Sequence, residues 1–247
     1  MRILWYLKVI IFYCGVVPAA ILIATLGNLL FFLPDKYTYS IIASWAKFFI
    51  FWLKVTCNIN YAVSGMDNIP NKSCVVLSNH QSTWETAFIQ ATFPPIAWIL
   101  KKELKLIPFF GWGLALLKPV FIDRKHLSSV KFLLKEGKQR LDAGKIVVLF
   151  PEGTRVQPGV IKKYSSSGAA LAISAKVDIL PIAHNAGLFW PRGFLPKQSG
   201  TINVLIGKPI STDGQDPRVL TEQVEQWIRD AEHSPLSQCC ASPPPPK

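Results

Sequence analysis

The chain has 247 residues, room for one substantial domain and an appendage. Half of it is hydrophobic, mean hydropathy is +0.28 and the formal net charge is +12, a combination that suits an anionic membrane surface or anionic substrates. Nucleic acid is the competing partner for such a charge, but no nucleic-acid motif or basic recognition helix is present. The five cysteines, Cys14, Cys57, Cys74, Cys239 and Cys240, are odd in number and scattered, which excludes a disulfide framework. No CxxC and no histidine cluster point to a metal, so reduced thiols and no metal site are expected.

Val9 to Leu33 carries no charge over 25 residues, enough for a membrane-crossing helix and too long for the apolar region of a signal peptide. Pro18 and Gly27-Asn28 are candidate kinks. After the polar turn Pro34-Asp35-Lys36, a second apolar stretch, Ile41 to Leu53, is broken by Lys47 and rich in aromatics, which suits an interfacial helix. The pair fits a hairpin dipping into one leaflet. A single span and two core helices of a soluble domain are the alternatives.

From residue 58 the pattern changes. Strands are expected at 58–63, 74–77, 97–100, 120–122, 146–150, 179–183 and 201–206, and helices at 85–93, 127–143, 167–176 and 221–231. The alternation predicts an α/β domain with a mixed, largely parallel sheet flanked by helices. The division is 1–57 as the membrane-associated helical pair, 58–233 as the α/β domain, and 234–247, with its Cys-Cys and four prolines, as a disordered tail. The apolar stretch 96–117 fits either an acyl tunnel or plain core.

Three motifs stand at predicted strand ends, where ligands bind in such sheets. Asn79-His80-Gln81-Ser82-Thr83-Trp84-Glu85 follows the strand Cys74–Leu77. If a helix starts after it, Glu85 can swing beneath His80, take its Nδ1–H and make the imidazole a general base. Ser82 reads as a helix cap, since no nucleophile elbow is present. Without an enzyme nucleophile, His80 would act on the hydroxyl of a substrate as it attacks an ester or thioester carbonyl. Arg124 and the loop Glu152-Gly153-Thr154-Arg155 offer two guanidinium forks, backbone N–H groups and a hydroxyl, which suit a phosphate. Glu152 would pair with an arginine or accept a hydroxyl from the substrate.

Asn79-His80-x4-Glu85, Phe121-Ile122-Asp123-Arg124, Phe150-Pro151-Glu152-Gly153-Thr154-Arg155 and Ile179-Leu180-Pro181-Ile182-Ala183 resemble, in order and spacing, the four blocks of the glycerolipid acyltransferase family. The match is closest to its bacterial 1-acyl-glycerol-3-phosphate acyltransferases, the PlsC type. One departure stands out: Glu85 occupies a position that is usually aspartate. The resemblance implies that His80, oriented by Glu85, is the base on the free sn-2 hydroxyl of lysophosphatidic acid, giving phosphatidic acid. It implies that Arg124 with Glu152, Gly153, Thr154 and Arg155 holds the acceptor phosphate, and that Leu180, Pro181 and Ile182 line the acyl-donor side or support the sheet. It implies acyl-CoA or acyl-carrier protein as donor, no bound metal or cofactor, and an N-terminal helical pair on the membrane. The donors and the uncleaved N-terminal run place the catalytic domain on the cytoplasmic face of the inner membrane. The alternatives are an acyltransferase for another lysolipid, an acyl thioesterase, and a non-enzymatic membrane protein that keeps the fold.

Overall fold

A computed structural model describes residues 2–93, 95–123, 129–193, 195 and 198–233. Arg124, named above as a phosphate ligand, and the 234–247 tail lie outside the described residues. The first apolar run is α1, Arg2–Leu29, which continues through Pro18; the second is α2, Asp35–Cys57. At 1.5 Å per residue α1 is about 42 Å long, more than the hydrocarbon thickness of a bilayer. Both helices are long and apolar enough to cross a membrane, and only 22% of the most apolar window of α1 is buried. Core packing therefore does not account for the apolar length of α1, and the pair is a candidate membrane pair.

The two helices are locked together before they meet the sheet. Trp52 Nε1 donates to the carbonyls of Ile11 and Phe12 at 3.3 and 3.1 Å, and Gly15 makes room for the indole, because a Cβ there would sit 2.2 Å from Nε1. One face of α2 is core: Ala46, Phe49, Leu53 and Cys57 are buried with Phe12 of α1 against the domain. Phe12 and Phe49 both pack on Trp190, edge-on at 5.6 Å and stacked at 5.7 Å respectively. The pair is thus welded to the α/β domain along α2 and left open along α1.

The domain is a seven-stranded sheet of β1 (Ile59–Ser64), β2 (Val75–Ser78), β3 (Ile96–Lys101), β4 (Val120–Ile122), β5 (Ile146–Leu149), β6 (Ile179–His184) and β7 (Gly200–Ile206), in the order β1-β7-β6-β2-β5-β3-β4. Strands β2 to β6 are parallel; β7 runs antiparallel to β6, and β1 parallel to β7. The mixed, largely parallel sheet expected from the sequence is the one observed. β2, β5 and β6 are buried at every residue, as strands covered on both faces must be. One face is covered by α2 and α3 (Trp84–Thr92). The other is covered by α5 (Ser129–Asp142), α6 (Ser167–Ala175) and α8 (Pro217–His233). The short α4 (Phe110–Leu116) crosses between β3 and β4 against α1, and α7 (Ala186–Phe189) follows β6.

The stretch 96–117 divides in two. Ile96 to Ile99 are core, whereas Leu106, Ile107, Phe109 and Trp112 are exposed, close in sequence to the exposed Lys101, Lys102 and Lys105. Leu180 and Ile182 are fully buried on β6 and support the sheet. Pro181 is buried between them, and its carbonyl accepts the Gly207 N–H at 2.9 Å.

Candidate active site

The parallel register decides which loops meet. Leu77 of β2 lies level with Leu149 of β5 on one side and Pro181 of β6 on the other. Three residues beyond Leu77 comes His80, and three beyond Leu149 comes Glu152. Three beyond Pro181 is His184, at the end of its strand. Three adjacent strands therefore deliver three titratable side chains to one edge.

His80 Nδ1 lies 2.8 Å from Glu85 Oε1. The same oxygen accepts the backbone N–H groups of Gln81 at 3.0 Å and Ser82 at 2.8 Å. Ser82 Oγ in turn accepts the Trp84 N–H at 3.2 Å, so Ser82 and Glu85 satisfy backbone donors on either side of the Thr83 N-cap of α3. The N-cap is Thr83, one residue after the Ser82 expected in that place; Ser82 still serves the first helical N–H, and the carboxylate that accepts its own N–H is the one beneath the histidine. The side chain of Glu85 is 0% exposed. Burial alone would push its carboxyl up, but neighbouring His184 and His80 and the hydrogen bonds it accepts outweigh this and hold it below the usual carboxylate range. His184 is itself kept neutral by burial, so the direct hydrogen bonds are the part of that pull that operates at neutral pH. An ionised carboxylate only accepts, which puts the His80 proton on Nδ1 and leaves the Nε2 lone pair. The imidazole stacks on Phe150, with ring centres 4.0 Å apart and planes 9° apart.

The second loop grips the first by its backbone. The His80 N–H donates to Glu152 Oε1 at 3.2 Å, and the His80 carbonyl accepts the Val156 N–H at 2.7 Å. Gly153, at φ +73°, makes the turn that brings Glu152 back, with its own N–H on the Phe150 carbonyl at 3.0 Å. Glu152 thus holds the histidine loop. Burial, with the negative charges of Glu232 and Glu85, pushes its carboxyl up to about 8, so it is largely a neutral acid at pH 7. Its Oε2 is buried with no hydrogen-bond partner among the described residues. Arg155, half-buried, donates from Nη1 to Thr83 Oγ1 at 3.0 Å, which brings the guanidinium to the histidine loop. Thr154 is half-buried in the same turn.

Sequence reasoning missed two participants, His184 and Glu232. His184 donates from Nε2 to the Asn79 carbonyl at 3.0 Å and accepts the Ala186 N–H on Nδ1 at 3.2 Å, a fully used neutral imidazole. Its signal was only a histidine closing an apolar strand. Glu232 lies one residue beyond the helix expected at 221–231; α8 in fact runs from Pro217 to His233.

The acyltransferase family model matches residues 60–185, which contain both loops. Over 230 residues the chain is 44% identical to the 1-acyl-sn-glycerol-3-phosphate acyltransferase of Pseudomonas aeruginosa, covering 89% of this chain and 90% of that protein. The chain belongs to the acyltransferase family. It is also 28% identical to the 1-acyl-sn-glycerol-3-phosphate acyltransferase of Saccharomyces cerevisiae, over 82% of this chain and 72% of that one. The fold of this acyltransferase matches the crystal structure of the 1-acyl-sn-glycerophosphate (LPA) acyltransferase PlsC from Thermotoga maritima with a TM-score of 0.80. That match covers 96% of this chain and 97% of the other at 23% identity, and it includes the N-terminal helical pair.

Proposed function

We propose that this acyltransferase moves an acyl group from a thioester, acyl-CoA or acyl-carrier protein, to the free sn-2 hydroxyl of lysophosphatidic acid, giving phosphatidic acid. The observation that carries the chemistry is the pair His80–Glu85: a buried, ionised carboxylate on Nδ1 makes Nε2 the base. As the hydroxyl oxygen attacks the thioester carbonyl, its O–H bond breaks and the proton passes to Nε2. The C–O bond forms, the C–S bond breaks, and the imidazolium returns the proton to the leaving thiolate. Glu85 stabilises the imidazolium between these two transfers. No covalent acyl-enzyme is required. The acceptor class rests on the names of the relatives, and Arg155 supports it by presenting a guanidinium one hydrogen bond from Thr83. Gly153 shapes the turn, Thr154 adds a hydroxyl, and Arg124 adds a second guanidinium. Glu152, largely neutral, holds the histidine loop through the His80 N–H and does not compete with the phosphate for the arginines.

Residues 1–57 act as the anchor, 58–233 as the catalytic unit, and the catalytic unit works on the cytoplasmic face of the inner membrane, where both acyl donors are made. A bilayer site spares the lysolipid chain transfer through water, at roughly 0.8 kcal/mol per methylene. The test is acyl transfer from a labelled thioester by purified protein, with and without lysophosphatidic acid. Label in phosphatidic acid only when acceptor is present is expected. Free fatty acid without acceptor dependence would make His80 a base on water and the protein a thioesterase. Equal transfer to lysolipids lacking a terminal phosphate would remove the phosphate role of Arg155.

A further inference from the structure

Asn79 and Gln81 flank His80, and both are buried. Each carries an amide whose orientation is fixed at both ends. Asn79 Oδ1 accepts the His184 N–H at 3.1 Å, and Gln81 Oε1 accepts the Gly187 N–H at 3.0 Å. Their NH2 groups then converge on one atom: Glu232 Oε1 accepts from Asn79 Nδ2 at 2.6 Å and from Gln81 Nε2 at 2.5 Å. Asn79 Nδ2 also reaches the His184 carbonyl at 2.8 Å. Two amide donors facing each other need an acceptor between them, and a carboxylate oxygen supplies one without bringing a competing N–H. Glu232 comes from the last turn of α8.

We propose that Glu232 is a positioning residue for acyl transfer, holding Asn79 and Gln81 so that His80 sits where its Nε2 meets the acceptor hydroxyl. The backbone of His80 is tied to the 150–156 loop and its ring to Glu85, but the placement of the residue on either side depends on Glu232. Without that acceptor, Gln81 Nε2 loses this bond and Asn79 Nδ2 keeps only the one to the His184 carbonyl, and the loop shifts to find partners. A displacement of about 1 Å at a reacting group costs on the order of 100-fold in rate. The inference rests on the reading of His80 as the base.

Two variants of nearly the same shape separate positioning from packing. Glu232→Gln keeps an oxygen that can accept from both amides, whereas Glu232→Met fills the same space with no comparable acceptor. Both are made in the full chain, in detergent micelles, and assayed for transfer from a labelled acyl thioester to lysophosphatidic acid. Glu232→Met is expected to lose about 30-fold in kcat with both KM values within about twofold, and Glu232→Gln to stay within about threefold of the parent. A Glu232→Met enzyme at parental kcat overturns the proposal, as does a Glu232→Gln enzyme as slow as Glu232→Met. Asp230→Ala, on the exposed side of the same turn, is the control expected to leave kcat unchanged. Hydrogen exchange of the 79–82 amides in the same proteins judges the inference apart from the choice of acceptor. Faster exchange in Glu232→Met alone is expected, and identical exchange in all three overturns the proposal. An inactive parent whose variants differ in exchange as expected would place the fault in the acceptor or the base assignment, with the positioning role of Glu232 upheld.

Discussion

Replacing Glu85 with the family's usual aspartate is a one-methylene change that the geometry judges harshly. Glu85 Oε1 lies 2.8 Å from His80 Nδ1, 2.8 Å from the Ser82 nitrogen and 3.0 Å from the Gln81 nitrogen. Losing one methylene withdraws the carboxylate by about 1.5 Å, the length of a C–C bond. All three contacts then open to roughly 4 Å, past hydrogen-bonding range. The Glu85 side chain is fully buried, so its lost contacts are not replaced by bulk water. A hydrogen bond to a charged group contributes about 1.5–3 kcal/mol, so losing the imidazole contact alone corresponds to about 10- to 150-fold. Glu85→Asp is therefore expected to lower kcat about 100-fold with KM values little changed, and to lower the thermal midpoint because the Gln81 and Ser82 N–H bonds are lost as well. Glu85→Gln makes the contrasting case. It keeps an oxygen in place for the backbone N–H groups and loses only the charge that stabilises the imidazolium, so the rate should fall at least as far while the midpoint holds better. Steady-state kinetics and thermal unfolding in the same detergent measure both. Parental kcat in Glu85→Asp would refute the claim that this distance supports the base.

His80→Ala should abolish turnover with the thermal midpoint nearly unchanged; a near-parental rate would remove His80 as the base. Arg155→Ala should raise the KM for lysophosphatidic acid about 10- to 100-fold, the worth of a charge-assisted contact, and an effect confined to the acyl donor would sink the phosphate role. Glu152 makes stability depend on pH. Its carboxyl is raised from 4.5 to about 8 in the fold, so the native state holds a proton the unfolded state has released, and stability present below pH 4.5 is lost as pH rises through about 8. The slope is up to about 1.4 kcal/mol per pH unit, and Glu152→Gln should flatten it between pH 5 and 8 in thermal unfolding; an unchanged slope would place the lost stability elsewhere. Leu22 and Leu26 are exposed on α1, so Leu22→Lys with Leu26→Lys should weaken retention in salt-washed membranes without unfolding the domain. A lysine at the bilayer centre costs about 2.5–3.5 kcal/mol, and full retention would move the anchor away from this face.

The parts legible in the sequence are those written in short-range pattern. The buried strands announced themselves as runs of Val, Ile and Leu, and the His80 and Glu152 loops by standing directly after two of them. A serine at the start of α3 was visible because helix-start signals are local, although the cap position falls one residue later, at Thr83. What stayed hidden depended on contacts between distant segments. His184 looks like the end of an apolar strand until the neighbouring strand shows what its ring faces. Glu232 sits in a charged helix end, where solvated acids are the rule, and only the packing of α8 against β6 turns it inward. Glu152 offered a choice of partners, and the structure selects one the sequence could not favour, the backbone of His80, because parallel register sets the two loops level. The α2 helix was legible as apolar but not as shared: the aromatic residues that suit an interface also supply Phe49 to the core.

The hydrogen bond from Asn79 to Glu232 joins residues 153 positions apart. On a ribosome adding about 5–20 residues per second, the acceptor is made roughly 8–30 s after the loop it holds. Helices α1 and α2 are made before either. The chain therefore has its bilayer-seeking segments in hand while the catalytic loop still lacks its last tie, and the loop is completed only as α8 folds onto the sheet. A nascent or prematurely ended chain would reach the membrane as a binder of lipid with a slack active site, and acyl transfer would begin with the closing of the final helix.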